Sequence, residues 1–102
     1  MIRSNTFKPH MRSPLQIDTQ VLAVTNATQS LAVVPGTVLR LVNTHATETS
    51  AINFGYGSCA AVMATDMLIP AATTIFVEVP TEADTMAIIG TGNHNVRMTR
   101  GE

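Results

Sequence analysis

The segment TTIFVEVPTEADTMAIIGTGNHNVRMTR, residues 73–100, contains three short apolar runs that are separated by turn sequences. In the first run, Ile75 and Val77 fall on the face opposite to Glu78. A period of two residues is typical of a half-buried β-strand rather than of a helix. Pro80 ends this run, because proline cannot donate a hydrogen bond to a sheet. The segment therefore predicts three antiparallel strands joined by turns.

The chain before this segment is punctuated in the same way, most strongly at Pro35-Gly36. We predict further strands over residues 15–25, 30–34, 37–43, 51–54, 59–64 and 67–70. In the first of these the odd-numbered residues, Val21 among them, are expected on the buried face, and Arg40 and Arg97 are expected to point outward. About eight short strands and no periodic run of helical length predict an all-β, antiparallel β-sandwich. The pattern alone allows either a jelly roll or an immunoglobulin-like sandwich.

The first 14 residues differ in charge from the rest of the chain. They contain Arg3, Lys8 and Arg12 and no acidic residue, whereas residues 15–102 contain three arginines and seven acidic residues. At 102 residues the chain has the size of one domain. We therefore predict a basic N-terminal arm over residues 1–14, followed by an acidic β-sandwich domain over residues 15–102.

The composition predicts a neutral surface. Charged residues make up 13% of the chain, about half the usual share, and threonine, with 15 residues, replaces much of the missing charge. A surface of this kind is poorly protected by charge against association, so we expect the protein to work assembled against other protein. The alternative is a small neutral domain with no role in assembly. No apolar run approaches a membrane span of roughly 20 residues, so we expect no membrane partner and a chain used inside a cell or in a particle assembled there.

The stretch INFGYGSCAA places Gly55, Gly57 and Ala60 in the spacing of a dinucleotide-binding loop. That loop must open directly into a helix inside a strand-helix-strand unit. Here the residues that follow are interrupted at Thr65-Asp66 and Pro70, which leaves little room for such a helix. We interpret the glycines as a sharp turn between two strands, allowed by positive φ or by close backbone approach, and we predict no cofactor.

No arrangement of nucleophiles or metal ligands is evident in the sequence. His10, His45 and His94 lack the spacing of a ligand set, and Glu48 lies near His45 only within an irregular loop, so we interpret the histidines as solvated turn residues. Cys59 is the single cysteine, which excludes an internal disulfide, and no local motif pairs it with a histidine. We therefore predict no catalytic residue, no metal site and no enzymatic activity.

Aromatic residues are too few to suggest a binding platform. Phe54 and Phe76 occupy strand positions, which leaves Tyr56 alone in a turn. A nucleic-acid site is also poorly supported, because the body is acidic and only the arm could contact phosphate. We predict no nucleic-acid partner.

Residues 66–102 resemble the end of small β-sandwich proteins that are encoded beside the major capsid protein of tailed bacteriophages, the capsid decoration or cement proteins. The matching elements are Pro-Ala at 70–71, Val-Pro at 79–80, Ala-Ile-Ile at 87–89, Gly-Asn at 92–93 and V-x-x-T-x-G-E at 96–102. Ala72 stands where this family usually has glycine. TVLRLVNT at 37–44 and INFGYG at 52–57 also look like the middle hairpin of the family.

The resemblance implies a jelly-roll-type sandwich that forms a homodimer or another homo-oligomer. It implies a virion protein on the capsid exterior, assembled in the host cytoplasm, which binds the major capsid protein across joints between subunits. We expect the working residues to be Arg3, Phe7, Lys8 and Arg12 of the arm, together with Tyr56. The alternative is a receptor- or glycan-binding module of a phage tail or fibre, with Tyr56 and the loop at 44–50 forming its contact face.

Overall fold

The computed structural model describes residues 7, 9–13, 16–17 and 19–101, and within them every regular element is a β-strand. The strands are β1 (Met11–Ser13), β2 (Gln16–Ile17), β3 (Thr19–Val24), β4 (Gln29–Ala32), β5 (Val38–Asn43), β6 (Ser50–Gly55), β7 (Met67–Ile69), β8 (Thr73–Glu78), β9 (Thr85–Gly90) and β10 (His94–Arg100). Eight of them form two four-stranded antiparallel sheets, and β1 and β2 form a separate two-stranded ribbon. The predicted all-β sandwich is confirmed.

The strand order of the two sheets follows a nested pairing. The first sheet has the order β3-β10-β5-β8 and the second has the order β4-β9-β6-β7. From outside inward along the chain, β3 pairs with β10, β4 with β9, β5 with β8 and β6 with β7. Each connection from β3 onward changes sheet, except the one between β6 and β7. The eight strands thus form four nested antiparallel pairs, two in each sheet.

The core lies between the inner faces of the two sheets. The first sheet contributes Leu39, Leu41 and Val96, and the second contributes Met86 and Ile88, all of them buried. Burying each such side chain stabilises the fold by roughly 1.5–3 kcal/mol. These positions alternate with outward-facing residues in β5, β9 and β10, as the sequence predicts.

The predicted buried face of residues 15–25 is wrong within β3, the part of that segment whose burial the structure describes. Val21 is 61% exposed, whereas Leu22 and Val24 face the core. The segment contains two strands with different partners, since β2 pairs with β1 and β3 pairs with β10. Pairing with β10 then sets the register anew, and Leu22 lies opposite the buried Val96.

Residues 59–64 form no strand, contrary to the prediction. They belong to the connection between β6 and β7, and β7 begins only at Met67. The predicted boundary between arm and sandwich falls inside the β1–β2 ribbon, and the first sheet begins at Thr19.

The turn between β7 and β8 has the conformation that glycine favours. Ala72 has a φ of 54°, and its amide donates to the carbonyl of His45 over 2.8 Å. A left-handed backbone costs a residue with a side chain about 1–2 kcal/mol, because Cβ crowds the following carbonyl. The alanine therefore adopts the turn for which the resemblance leads us to expect glycine.

Candidate protein interface

The outer face of the second sheet is covered by the chain's own loop, residues 56–66, which we name the covering loop. Ala51 and Ala87 point to this face, since their neighbours along the strands face the core. Both are nevertheless 0% exposed. Small side chains at these positions let the loop lie directly on the sheet.

Hydrogen bonds hold the covering loop in place. The Asn53 side-chain amide donates to the carbonyl of Ala60 over 3.1 Å, and the amide of Ala61 donates to the Thr28 hydroxyl over 2.9 Å. Within the loop, the Asp66 carboxylate accepts from the amide of Val62 over 2.6 Å. The loop's polar groups thus find partners in the sheet and in the loop itself.

The two glycine positions of the INFGYG stretch favour glycine for different structural reasons. A Cβ on Gly55 would lie 2.6 Å from Cβ of Cys59, so the close approach of the loop requires glycine there. Gly57 has open space around it but a φ of +77°. Its amide donates to the Asp84 carboxylate over 2.9 Å, and this bond, with a second from the Thr85 hydroxyl, lowers the pKa of Asp84. The prediction of a turn made by close approach and positive φ is confirmed.

Cys59 lies between the covering loop and the sheet. Its thiol makes long contacts with the carbonyls of Asn53 and Thr85, at 3.8 and 3.7 Å. Burial raises the pKa of the thiol, and the nearby carboxylates of Asp66 and Asp84 raise it further. A thiol that stays protonated is a poor nucleophile, so this cysteine serves packing.

The outside of the covering loop and the strand after it expose apolar side chains. Tyr56 is 80% exposed, and Val62, Met67 and Leu68 are also exposed. Tyr56 therefore points away from its own domain, as a contact residue must.

Among the residues that the structure describes, no such loop lies on the outer face of the first sheet. We name this surface the open face and define it by Val21, Ala23, Arg40, Thr74, Phe76, Asn95 and Arg97, which come from all four strands and are exposed. Arg40 lies opposite Phe76, and Arg97 lies between Val21 and Val42. Arginine beside apolar residues is a composition that protein interfaces favour.

The described part of the arm contacts one end of the open face. The ring of Phe7 packs on Phe76 with centroids 5.3 Å apart, and Pro9 forms a β-bridge with Gly101. Thr99 also points to this side of the sheet but is buried. Phe7 thus packs on its own domain at the edge strand β8, beside the surface it was predicted to help form.

Three predicted arm residues lie wholly or partly outside the described residues. Arg3 and Lys8 are among the residues not described, and of Arg12 only the backbone is described, in β1. Their predicted role therefore stays a prediction.

His94 forms a buried polar pair with Ser50, which the sequence reasoning missed. Ser50 Oγ lies 2.5 Å from His94 Nε2, and His94 Nδ1 lies 2.8 Å from the carbonyl oxygen of Gly92. A carbonyl can only accept, so in the neutral ring Nδ1 donates to Gly92 and Nε2 accepts from the serine. The interpretation of His94 as a solvated turn residue is wrong. In the sequence, His94 alternates with Val96 and Met98, and this pattern indicates that its side chain shares their core-facing side of the strand.

The serine–histidine pair resembles an activated nucleophile in its hydrogen bond but not in its position. Ser50 is fully buried and lies in the second sheet, whereas His94 lies in the first. A substrate has no access to this hydroxyl. The pair is a polar link between the two sheets.

The loop before β6 is held together by its own contacts. The Nδ1 atom of His45 accepts from the amides of Thr47 and Glu48 over 3.1 and 3.0 Å, and the Glu48 carboxylate accepts from the Thr91 hydroxyl. His45 is only half-buried, and its ring meets the ring of His94 edge-on.

This loop lies at the end of β6 opposite to Tyr56, since β6 runs from Ser50 to Gly55. A six-residue strand spans roughly 17–20 Å, so Tyr56 and the loop do not form one contact face.

A cleft of about 190 Å³ is bordered by β3, β5, β10 and the end of β4, and is lined by Gln20, Ala32, Val33, Val34, Leu39, Met98 and Arg100. It is smaller than the roughly 300 Å³ at which sites for small molecules begin. In the part of the chain that the structure describes, no three His, Cys, Asp or Glu residues are grouped as a metal site. Nor does this part contain a helix long and apolar enough to cross a membrane.

Comparison with known protein families, curated proteins and solved structures finds no match to this chain. The resemblance to capsid decoration proteins therefore depends on the motifs quoted above.

Proposed function

We propose that this chain is a structural virion protein that decorates and stabilises the capsid of a tailed bacteriophage. It binds across joints between subunits of the major capsid protein, on the capsid exterior, as a homodimer or another homo-oligomer. One observation carries the proposal. The chain covers the outer face of its second sheet with its own loop but leaves the outer face of its first sheet open beside the basic arm.

The exposed apolar residues support a protein with more than one protein partner. Val21 and Phe76 are exposed on the open face, and Tyr56 in the covering loop and Met67 and Leu68 on the edge strand β7 are exposed at the second sheet. We assign the open face and the arm to the capsid and the Tyr56 side to a second copy of the chain.

The available surface is sufficient for both contacts. The accessible surface of the chain is 6113 Å². A standard interface takes about 800 Å² from each partner, so two such contacts would cover about a quarter of the molecule. A low density of surface charge is expected in a molecule that buries this much surface against protein.

Stabilisation of the capsid would follow from mass action. A protein that binds only the assembled shell stabilises it by RT ln(1 + [L]/Kd) at each site. At a concentration of about 100 Kd, this amounts to about 2.7 kcal/mol per site. Summed over many joints, a modest affinity gives a large resistance to internal pressure.

Co-sedimentation with shells assembled from the major capsid protein tests the proposal. We expect the full chain to bind in a fixed stoichiometry, and a variant lacking residues 1–13 to remain folded but to occupy few sites. A full-length variant with R3Q, K8Q and R12Q separates the charge of the arm from its length. Full occupancy by the truncated chain would remove the arm from the proposal. Binding to host surface polymers, with none to shells, would favour the receptor- or glycan-binding alternative.

A further inference from the structure

The described sandwich carries two arginines on its open face and most of its acidic residues in loops. Arg40 on β5 and Arg97 on β10 both point outward on the open face, on neighbouring strands. Arg97 lies two positions along β10 from Thr99, which pairs with Arg40. Diagonal neighbours of this kind have Cα atoms roughly 7–8 Å apart. The two guanidinium groups therefore form one positive patch.

Most of the described acidic residues have partners elsewhere. The carboxylates of Glu48, Asp66 and Asp84 accept hydrogen bonds in three loops, from Thr91, Val62 and Gly57 respectively. Glu82 accepts from the Thr81 hydroxyl in the loop between β8 and β9. These four carboxylates lie in loops and accept hydrogen bonds there, so they do not neutralise the arginines of the open face.

One acidic residue, Glu78, shares the open face with the arginines. It lies at the end of the edge strand β8, opposite Val38 and diagonal to Arg40. No ion pair within 4 Å joins it to either arginine among the described residues. The cationic groups of Arg40 and Arg97 are thus exposed and available to an outside partner.

The composition around the arginines distinguishes between classes of partner. Val21, Val42 and Phe76 lie directly beside them in the sheet. Binding to nucleic acid depends on many Lys and Arg contacts to phosphate, often with aromatic rings free to stack on bases. Here the described residues of the open face offer two arginines and a single aromatic ring, that of Phe76, which Phe7 contacts. Arginine within an apolar surround is typical of a protein contact, in which it forms bidentate bonds with carboxylates.

We infer that the open face binds an acidic protein surface, with Arg40 and Arg97 pairing with its carboxylates and Val21 and Phe76 packing around them. This inference names the capsid-facing side of the molecule and so rests in part on the proposed function. The partner's carboxylates would supply the ion-pair partners that Arg40 and Arg97 do not find among the described residues of the open face.

The test compares two variants that lower the net charge by the same amount. R40Q with R97Q removes two positive charges from the open face, whereas N26D with S30E adds two negative charges at exposed positions elsewhere, in the β3–β4 turn and on β4. R40K with R97K keeps the charge but loses the bidentate geometry. Each is measured against assembled shells, immobilised polyglutamate as a simple acidic polypeptide, and a DNA duplex.

We expect R40Q/R97Q to lose at least about tenfold in affinity for shells, as expected for the loss of charged hydrogen bonds, while N26D/S30E binds nearly as the original chain does. We expect R40K/R97K to fall between them. Equal loss in R40Q/R97Q and N26D/S30E would mean that only net charge matters and would overturn the inference. Equal shell binding by R40Q/R97Q and the original chain would overturn it while leaving the proposed function intact.

Binding to polyglutamate distinguishes failure of the proposed capsid function from failure of the inference about the open face. If the original chain binds polyglutamate through the arginines but binds no shells, the proposed function fails and the inference stands. Tighter binding of the arginine face to DNA than to polyglutamate would overturn the assignment of a protein partner.

Discussion

The outer faces of the two sheets differ in how far other parts of the chain cover them. On the second sheet, Ala51 and Ala87 are fully buried because the covering loop lies on them. On the first sheet, Arg40 and Arg97 of the two central strands are exposed, as are Val21 at 61% and Phe76 at 57% on the two edge strands. Eleven residues, 56–66, cover the outer face of the second sheet, whereas no described segment of comparable length covers that of the first, which Phe7 of the arm contacts at Phe76. The chain's own loop covers one outer face of the sandwich, and the other stays accessible. A partner protein can therefore bind on the open face.

The largest effect is expected from enlarging a residue beneath the covering loop. Ala87→Leu inserts a side chain where Ala87 has no exposed surface, and it should lower the free energy of unfolding by about 3 kcal/mol or displace the loop. Ala23→Leu makes the same change at an exposed position of the open face. It should alter stability by less than about 0.5 kcal/mol.

Urea unfolding of the two variants measures this difference directly. Similar unfolding midpoints for both leucine variants would show that the covering loop does not pack as described and would remove the contrast between the faces.

A smaller effect is expected at the start of the loop. Gly55→Ala would place a Cβ 2.6 Å from that of Cys59 and 2.8 Å from the carbonyl oxygen of Ser58, so the loop must lift, at a cost of about 2 kcal/mol. Gly57→Ala meets no neighbour and is strained only by its positive φ, at a cost of about 1 kcal/mol.

The rate of Cys59 modification by a thiol reagent distinguishes lifting of the covering loop from local backbone strain. It should rise in Gly55→Ala, which uncovers the thiol, and change little in Gly57→Ala. Faster modification in Gly57→Ala than in Gly55→Ala would contradict the described packing.

The smallest effect concerns the pH dependence of the loop. Hydrogen bonds from Gly57 and Thr85 hold the pKa of Asp84 below its ordinary value in the folded chain. A carboxylate of this kind stabilises the fold above its unfolded pKa, and the contribution is lost as the pH falls through the folded pKa. Asp84→Asn should therefore lower the unfolding midpoint slightly at neutral pH, and the difference should vanish in acid.

Glu82→Gln, in the same loop between β8 and β9, controls for the general effect of removing one negative charge. A difference between Asp84→Asn and the original chain that persists unchanged in acid would contradict this account of Asp84.

The sequence predicts the sheets better than it predicts what lies on them. In β5 and β8, strict alternation identifies the buried residues, and Arg40 is exposed as expected. In the covering loop, CAAVMA has the small apolar residues of a strand, because packing against a sheet and pairing within one both favour such residues. Only the folded chain distinguishes these two uses.

The other wrong predictions, for β3 and His94, also depend on contacts between residues far apart in the sequence. The buried face of β3 depends on its pairing with β10, which lies at the other end of the chain. His94 was assigned to a turn from its neighbours Gly92 and Asn93, although its partner Ser50 lies 44 residues away. Interface residues in the arm could be proposed from charge, but the open face required the strand order, which brings Arg40 and Arg97 together.

Hydroxyl-radical footprinting of the protein, free and bound to shells, tests the central claim most directly. Phe76 reports on the open face of the first sheet and Tyr56 on the covering loop of the second, and both are exposed in the single chain. We predict that oxidation of Phe76 falls sharply on shell binding, whereas oxidation of Tyr56, which we place against a second copy in the free oligomer, stays the same. Protection of Tyr56 on shells, with Phe76 unchanged, would contradict the account.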